Sequence, residues 1–181
     1  TAYHSHPYGH ETIGYREDIE AYTAETLERF YRNYYRPDNA TMMVIGDIDR
    51  KTALATVKSI FGSMENPSTP IPRCHIEEPK QEGVRRVSIE RPSSMNIVSI
   101  GLKHPGFPQK EWFETAVMLD ILCAGPESIL ERLLVDTGKA SSIEAIQEPT
   151  SEENLALINI TLAPGQDHHE IEHLVLRAIE S

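Results

Sequence analysis

The sequence predicts an α+β fold, an antiparallel sheet with helices packed on one face. Two observations carry this. Residues 83–181 read in the order ββααββα, and strand pairs separated by helix pairs favour an antiparallel layer over a doubly wound sheet. Residues 154–163 also alternate, imperfectly, through Leu155, Leu157, Ile160 and Leu162, as a half-buried strand does.

The elements follow in order. Residues 1–22, rich in His, Tyr and Gly, read as a loop with one short helix. A helix is predicted over 23–35: Thr23 caps it, Glu25 suits its positive first turn, and Leu27, Phe30, Tyr31 and Tyr34 form one apolar stripe. Pro37 stops it. Residues 41–47 read as a short apolar strand covered on both faces. Asp49 then caps a helix with Ala53, Leu54, Val57 and Phe61 inward, closed by Gly62. Between Ser63 and Glu82, Pro67, Pro70, Pro72 and Pro79 punctuate a polar stretch without period, a semi-rigid strap and the one credible boundary. Beyond it, 84–90 and 95–102 read as strands. Pro108 opens a helix through Cys123 whose expected buried side is Trp112, Phe113, Ala116, Val117 and Ile121. Gly125-Pro126 breaks that helix. Ile129, Leu130, Leu133 and Leu134 belong to a further helix ending at Gly138, and 140–147 is a strand. After 154–163 and Pro164-Gly165, Asp167 caps a last helix.

The chain has 181 residues, 39% hydrophobic and 25% charged, which suits a globular protein with a real core. Its formal charge of −11, from 28 acids and 17 bases, makes nucleic acid and anionic lipid poor partners. No apolar run approaches the roughly 20 residues that span a bilayer, so membrane insertion is not expected. The opening Thr1-Ala2-Tyr3-His4 reads like the inside of a longer protein, and a fragment or mature piece is expected. Cys74 and Cys123 lie far apart and are not expected to pair. Cys123 reads as a small core residue.

Specific motifs then accumulate. His6-Pro7-Tyr8-Gly9, Gly14, Leu27, Phe30-Tyr31, Tyr34-Tyr35-Arg36-Pro37-Asp38-Asn39-Ala40 and Val44-Ile45-Gly46-Asp47 follow in one order with tight spacing. Ile121-Leu122, Gly125, Ser128, Leu130 and Gly138 follow in the second part. Together these resemble the insulinase/pitrilysin family of zinc metallopeptidases, which includes the mitochondrial processing peptidase, over essentially the whole chain. Read from the residues alone, the first group is architecture: a helix stop, a turn into a strand, and a Gly-Asp exit toward a capped helix. The resemblance implies a parent of two similar α+β halves facing across a chamber. Residues 1–62 would be the tail of a first, catalytic-type half, 63–82 a Pro-rich linker, and 83–181 a metal-free second half, incomplete at its C-terminus. The family's inverted zinc motif H-x-x-E-H and its later Glu would lie before Thr1, so zinc is expected in the parent and no cofactor in this piece. Where active members carry an Arg and a Tyr in the second half, this chain has Val135 and Ser141, and neither role carries over.

His169-Glu170-Ile171-Glu172-His173 fits both H-E-x-x-H and H-x-x-E-H, which would place two imidazoles one turn apart beside a general base. The apolar stripe of the same helix is Ile171, Leu174, Val175 and Ala178, which puts His169 and His173 on the opposite, solvated face. No third ligand can follow at family spacing, so catalytic zinc is not expected there, and adventitious metal binding by two exposed histidines is the residual alternative. His4, His6 and His10 are a second imidazole group, read as flanking a turn set by Pro7. Asp136, Asp167, Glu170 and Glu172 read as caps and surface charge. No catalytic, cofactor-binding or metal-ligating residue is therefore assigned. Three functions compete: the non-catalytic portion of a zinc metalloendopeptidase forming chamber wall and substrate-facing surface; part of a catalytically inactive partner subunit of such a peptidase; and an independent zinc hydrolase built on His169 and His173. The expected partners are a peptide or unfolded polypeptide substrate and a homodimeric or partner subunit. A final expectation is that strand 41–47, having lost its own sheet, joins the sheet of residues 84–163, within one chain or by exchange between two, giving one compact unit.

Overall fold

The computed structural model describes residues 2–73 and 76–180. The chain divides into two compact units, Tyr3–Gln81 and Glu82–Ser181 with Thr1–Ala2.

The C-terminal unit is built on three antiparallel strands, β1 (Ile97–His104), β2 (Ala140–Gln147) and β3 (Asn154–Leu162), in the order β1-β3-β2. Ile100 lies opposite Ile158 and Val98 opposite Ile160, while Ala145 and Ile143 face the same two β3 residues from the other side. One face of the sheet thus carries Val98, Ala156, Ile158, Ile160 and Leu162, all buried, because a strand sends alternate side chains to one side. The helix Lys110–Cys123 packs on β1 and β2, and the helix His168–Glu180 packs on β1. Leu119, Leu122, Cys123, Ile171 and Val175 complete the core with Leu130 and Leu134. Leu130 and Leu134 belong to a turn that widens into π geometry over Glu131–Val135, where Asp136 N donates to the Glu131 carbonyl five residues back. Gly138, at φ 72°, ends it in the left-handed region that a side chain would strain.

The N-terminal unit has a short helix Arg16–Glu20, then Ala24–Tyr34 and Arg50–Phe61. Thr23 and Thr26 cap the second of these reciprocally, and Asp49 caps the third by accepting from Thr52 N at 2.9 Å. Among its described residues only His6 and Arg36 are buried, and both are polar. Polar clasps hold it together. Arg36 makes a bidentate pair with Asp38 and donates to the carbonyls of Pro67 and Thr69. The Glu78 carboxylate accepts from the backbone N–H groups of His4, Ser5 and His6.

Several expectations are corrected. Residues 41–47 form no strand and do not join the sheet of 84–163 within the chain, and Met42, Met43, Val44 and Ile45 are exposed. Residues 84–90 form no strand either, with Val84, Val87 and Ile89 exposed. Both stretches have strand-forming composition, but a strand exists by its ladder, and no neighbour offers them one. The chain therefore forms two units, not one. The stripes of the helices at 24–34 and 50–61 are only partly covered: Leu27, Phe30, Tyr31, Leu54 and Phe61 are exposed, while Tyr34, Ala53 and Val57 are half-buried. On the helix Lys110–Cys123, Phe113, Val117 and Ile121 face out, and the inward side is Leu119, Leu122 and Cys123 with Trp112 and Ala116 half-buried. This helix is apolar nearly all round, so periodicity alone does not choose a face. The helix opens at Lys110 behind an N-cap Gln109, two residues after Pro108, and Gly62 closes its helix in right-handed geometry at φ −66°. Cys123 is a free thiol whose pKa burial raises to about 11, and Cys74 lies outside the described residues.

Candidate functional site

The helix His168–Glu180 carries the zinc-like motif. Asp167 caps it by accepting from Glu170 N at 2.9 Å, and that bond, with the charges of His168 and His169, lowers the Asp167 pKa. Ile171 and Val175 are wholly buried, and Leu174 and Ala178 pack against the same core. That burial fixes the rotation of the helix and leaves His169 and His173 exposed. Both carboxylates of the motif are engaged elsewhere. Glu170 Oε1 lies 2.7 Å from Lys139 Nζ, and Glu172 Oε1 lies 2.6 Å from Arg86 Nε. A hydrolytic zinc site on this motif needs both imidazoles and a third protein ligand converging on one point at about 2.0–2.2 Å, with a motif carboxylate free to act as base. Among the described residues no third His, Cys, Asp or Glu joins the pair, and both acids are turned to basic side chains, so the donor set does not fit the metal and no hydrolytic step is derived from it.

His6 and His10 of the N-terminal loop make local contacts. His6 Nδ1 accepts from Tyr8 N at 3.2 Å, capping the single turn Pro7–Gly9. Its ring packs between Tyr3 and Tyr8, with centroids at 5.7 and 4.4 Å. The His10 ring instead meets Tyr15 at 5.4 Å. No group of three or more His, Cys, Asp and Glu is placed to hold a metal among the described residues. His104 Nε2 and Ser128 Oγ are buried without partners among the described residues, and His104 is anchored through Nδ1, 2.8 Å from the Pro105 carbonyl.

Val135 packs against the core, and Ser141 sits at the irregularity where β2 shifts register, its hydroxyl donating to the Thr161 carbonyl at 3.2 Å. Neither side chain can supply the cation or phenol that an Arg or Tyr would present. Sequence reasoning missed the two polar clasps, Arg36 on the strap carbonyls and Glu78 on the N-terminal loop. Their partners lie 31–33 and 72–74 residues away, and backbone acceptors and donors carry no side-chain signature. Arg36 alone was marked, by its place between Tyr35 and Pro37.

An antiparallel three-stranded sheet with helices packed on it defines an α+β fold. The chain belongs to the peptidase M16 family: the family described as "Peptidase M16 inactive domain" matches residues 21–181. This agrees with the resemblance to the insulinase/pitrilysin peptidases. The zinc protease PqqE of Helicobacter pylori is 32% identical over 144 residues, 78% of this chain and 32% of that protein. The chloroplastic stromal processing peptidase of Arabidopsis thaliana is 33% identical over 61 residues, 32% of this chain and 5% of that protein. The crystal structure of a protease from Helicobacter pylori matches at a TM-score of 0.90 and 28% identity, covering 99% of this chain and 44% of that one. The chain thus spans about a third of the length of PqqE. No helix among the described residues is long and apolar enough to cross a membrane.

Proposed function

We propose that this chain is the non-catalytic portion of a zinc-dependent metalloendopeptidase, forming part of a chamber wall and of the surface that faces a peptide or unfolded polypeptide. Residues 1–62 are then the tail of the half that carries the zinc, 63–82 the connecting strap, and 83–181 most of the metal-free half. The carrying observation is the match of 99% of this chain to 44% of a protease. The zinc belongs to the parent, outside this piece. The uncovered apolar stripes of the N-terminal unit support the division, since Leu27, Phe30, Tyr31, Met43 and Ile45 are surfaces that a larger half-domain would bury.

A second reading, a catalytically inactive partner subunit with an assembly or substrate-binding role, is favoured by one observation. Val135 and Ser141 stand where active relatives of the resembled family carry Arg and Tyr, and both are committed to packing or backbone bonding. One experiment separates the readings. Full-length protein is incubated with an unstructured polypeptide, with and without chelator. Chelator-sensitive cleavage that survives Glu170→Gln supports the peptidase reading. No cleavage until a second subunit is added supports the partner reading. Cleavage abolished by Glu170→Gln would overturn both.

A further inference from the structure

We infer that the proline-rich strap is docked on the N-terminal unit at two points, residues 67–69 and Glu78, by two unequal latches, fixed at its Arg36 end and releasable at its Glu78 end. By composition the strap is a tether: its prolines favour an extended backbone whose carbonyls make no internal bonds. Those free carbonyls are what Arg36 takes. Its Nη1 donates to the Thr69 carbonyl at 2.8 Å and its Nη2 to the Pro67 carbonyl at 3.0 Å. On the other edge of the guanidinium, Asp38 accepts from Nε and Nη2 at 2.6 and 2.7 Å, which fixes the plane. The Arg36 side chain is only 4% exposed. Opening this latch breaks two charge-assisted bonds at a side chain sheltered from water, so it resists opening more than a solvent-exposed contact does.

The second latch is built differently. Glu78 Oε1 accepts from His4 N at 2.7 Å, and Oε2 accepts from Ser5 N and His6 N, each at 2.9 Å. Three consecutive N–H groups converge on one carboxylate across more than seventy residues of chain. Partial burial pushes the Glu78 pKa up, but the N–H groups of Ser5, His6 and His4 outweigh it and bring it down to about 2. The bonds at His4 and Ser5 lie in solvent, where water replaces a lost partner at little cost. Local opening starts where hydrogen bonds are exposed and apolar contacts few. The strap therefore lifts first at Glu78, freeing residues 4–6, while Arg36 still holds 67–69.

Amide exchange read residue by residue on the full-length protein tests this order. The reporters are the amides of His4, Ser5 and His6 for one latch, and Asn39 N, bonded to the Arg36 carbonyl at 3.0 Å, for the other. Glu78→Ala should speed exchange at residues 4–6 at least tenfold and leave Asn39 unchanged. Arg36→Ala should speed both groups. Fast, peptide-like exchange at 4–6 in the unsubstituted protein would overturn the latch. An equal rise at Asn39 in Glu78→Ala would overturn the order, since the strap would then open as one piece.

Discussion

The two units bury different things. The C-terminal unit closes over aliphatic side chains, with Leu130, Leu134, Ile158, Ile160, Ile171 and Val175 essentially inaccessible. The N-terminal unit buries one guanidinium and one imidazole among its described residues and leaves Leu27, Phe30, Tyr31 and Ile45 in solvent. The sequence patterns are nevertheless alike: both contain amphipathic helices with sound caps and short apolar runs. An apolar stripe states that a surface wants cover, and whether cover exists depends on what else the chain brings. In the C-terminal unit a sheet and its helices are both present. In the N-terminal unit helices are present without a sheet, and polar clasps do the holding.

The most direct way to break this comparison is to remove equal apolar volume from each unit. Leu130→Ala should lower the stability of the C-terminal unit by about 2–5 kcal/mol, the usual cost of a buried Leu truncation. Ile45→Ala, at a side chain 91% exposed, should stay within about 0.5 kcal/mol. Urea denaturation followed by the fluorescence of Trp112 measures the first, and backbone circular dichroism measures both. Ile158→Val is the milder control, with an expected loss of about 0.5–1.5 kcal/mol if Leu130→Ala fails to fold. Equal losses at Leu130 and Ile45 would show that residues 41–47 are covered in solution.

A smaller effect sharpens what close packing means in the C-terminal unit. A Cβ added at Gly106 would run into the Ser151 carbonyl oxygen, where the chain leaving β1 passes the turn before β3 and Phe107 N donates to the Thr150 carbonyl at 2.8 Å. Backbone must move to admit it, so Gly106→Ala should cost about 1–3 kcal/mol. At Gly101 the same atom would meet Leu157 and Leu155 at 3.5–3.6 Å, an ordinary contact, so Gly101→Ala should leave the denaturation midpoint nearly unchanged. A large loss at Gly101 and none at Gly106 would place the tight approach wrongly.

Much of the C-terminal unit was legible because its signals are local and its partners are present. Residues 140–147 were read with the bounds that β2 has, and Asp167 and the stripe of Ile171 and Val175 stand as the 3.6-residue period requires. Phe113, Val117 and Ile121 were misplaced because their helix has apolar residues on both sides, and only the packed sheet selects Leu119 and Leu122. Residues 41–47 and 84–90 were read as strands from composition, which reports what a strand would tolerate but not whether a neighbour exists. The clasps at Arg36 and Glu78 escaped because they bond backbone groups far along the chain. The family was legible because the motif around Tyr35–Asp47 is long and ordered, and it names architecture more firmly than chemistry.

The smallest expected effect concerns the motif that looks most like an active site. His169 and His173 lie on the solvated side of a helix whose rotation is set by Ile171 and Val175, each wholly buried. Turning the imidazoles toward any shared ligand in the core would expose both apolar side chains. The carboxylates between them are held by Lys139 and Arg86. The double variant His169→Ala, His173→Ala should therefore keep the denaturation midpoint of the C-terminal unit. It should also leave the zinc content of the full-length protein unchanged after dialysis against a weak chelator. Loss of one equivalent of zinc in the variant would show that the acids leave their basic partners and the motif assembles. A lower midpoint without zinc loss would instead mean that the helix face carrying the two histidines is covered, as the face carrying Ile171 is.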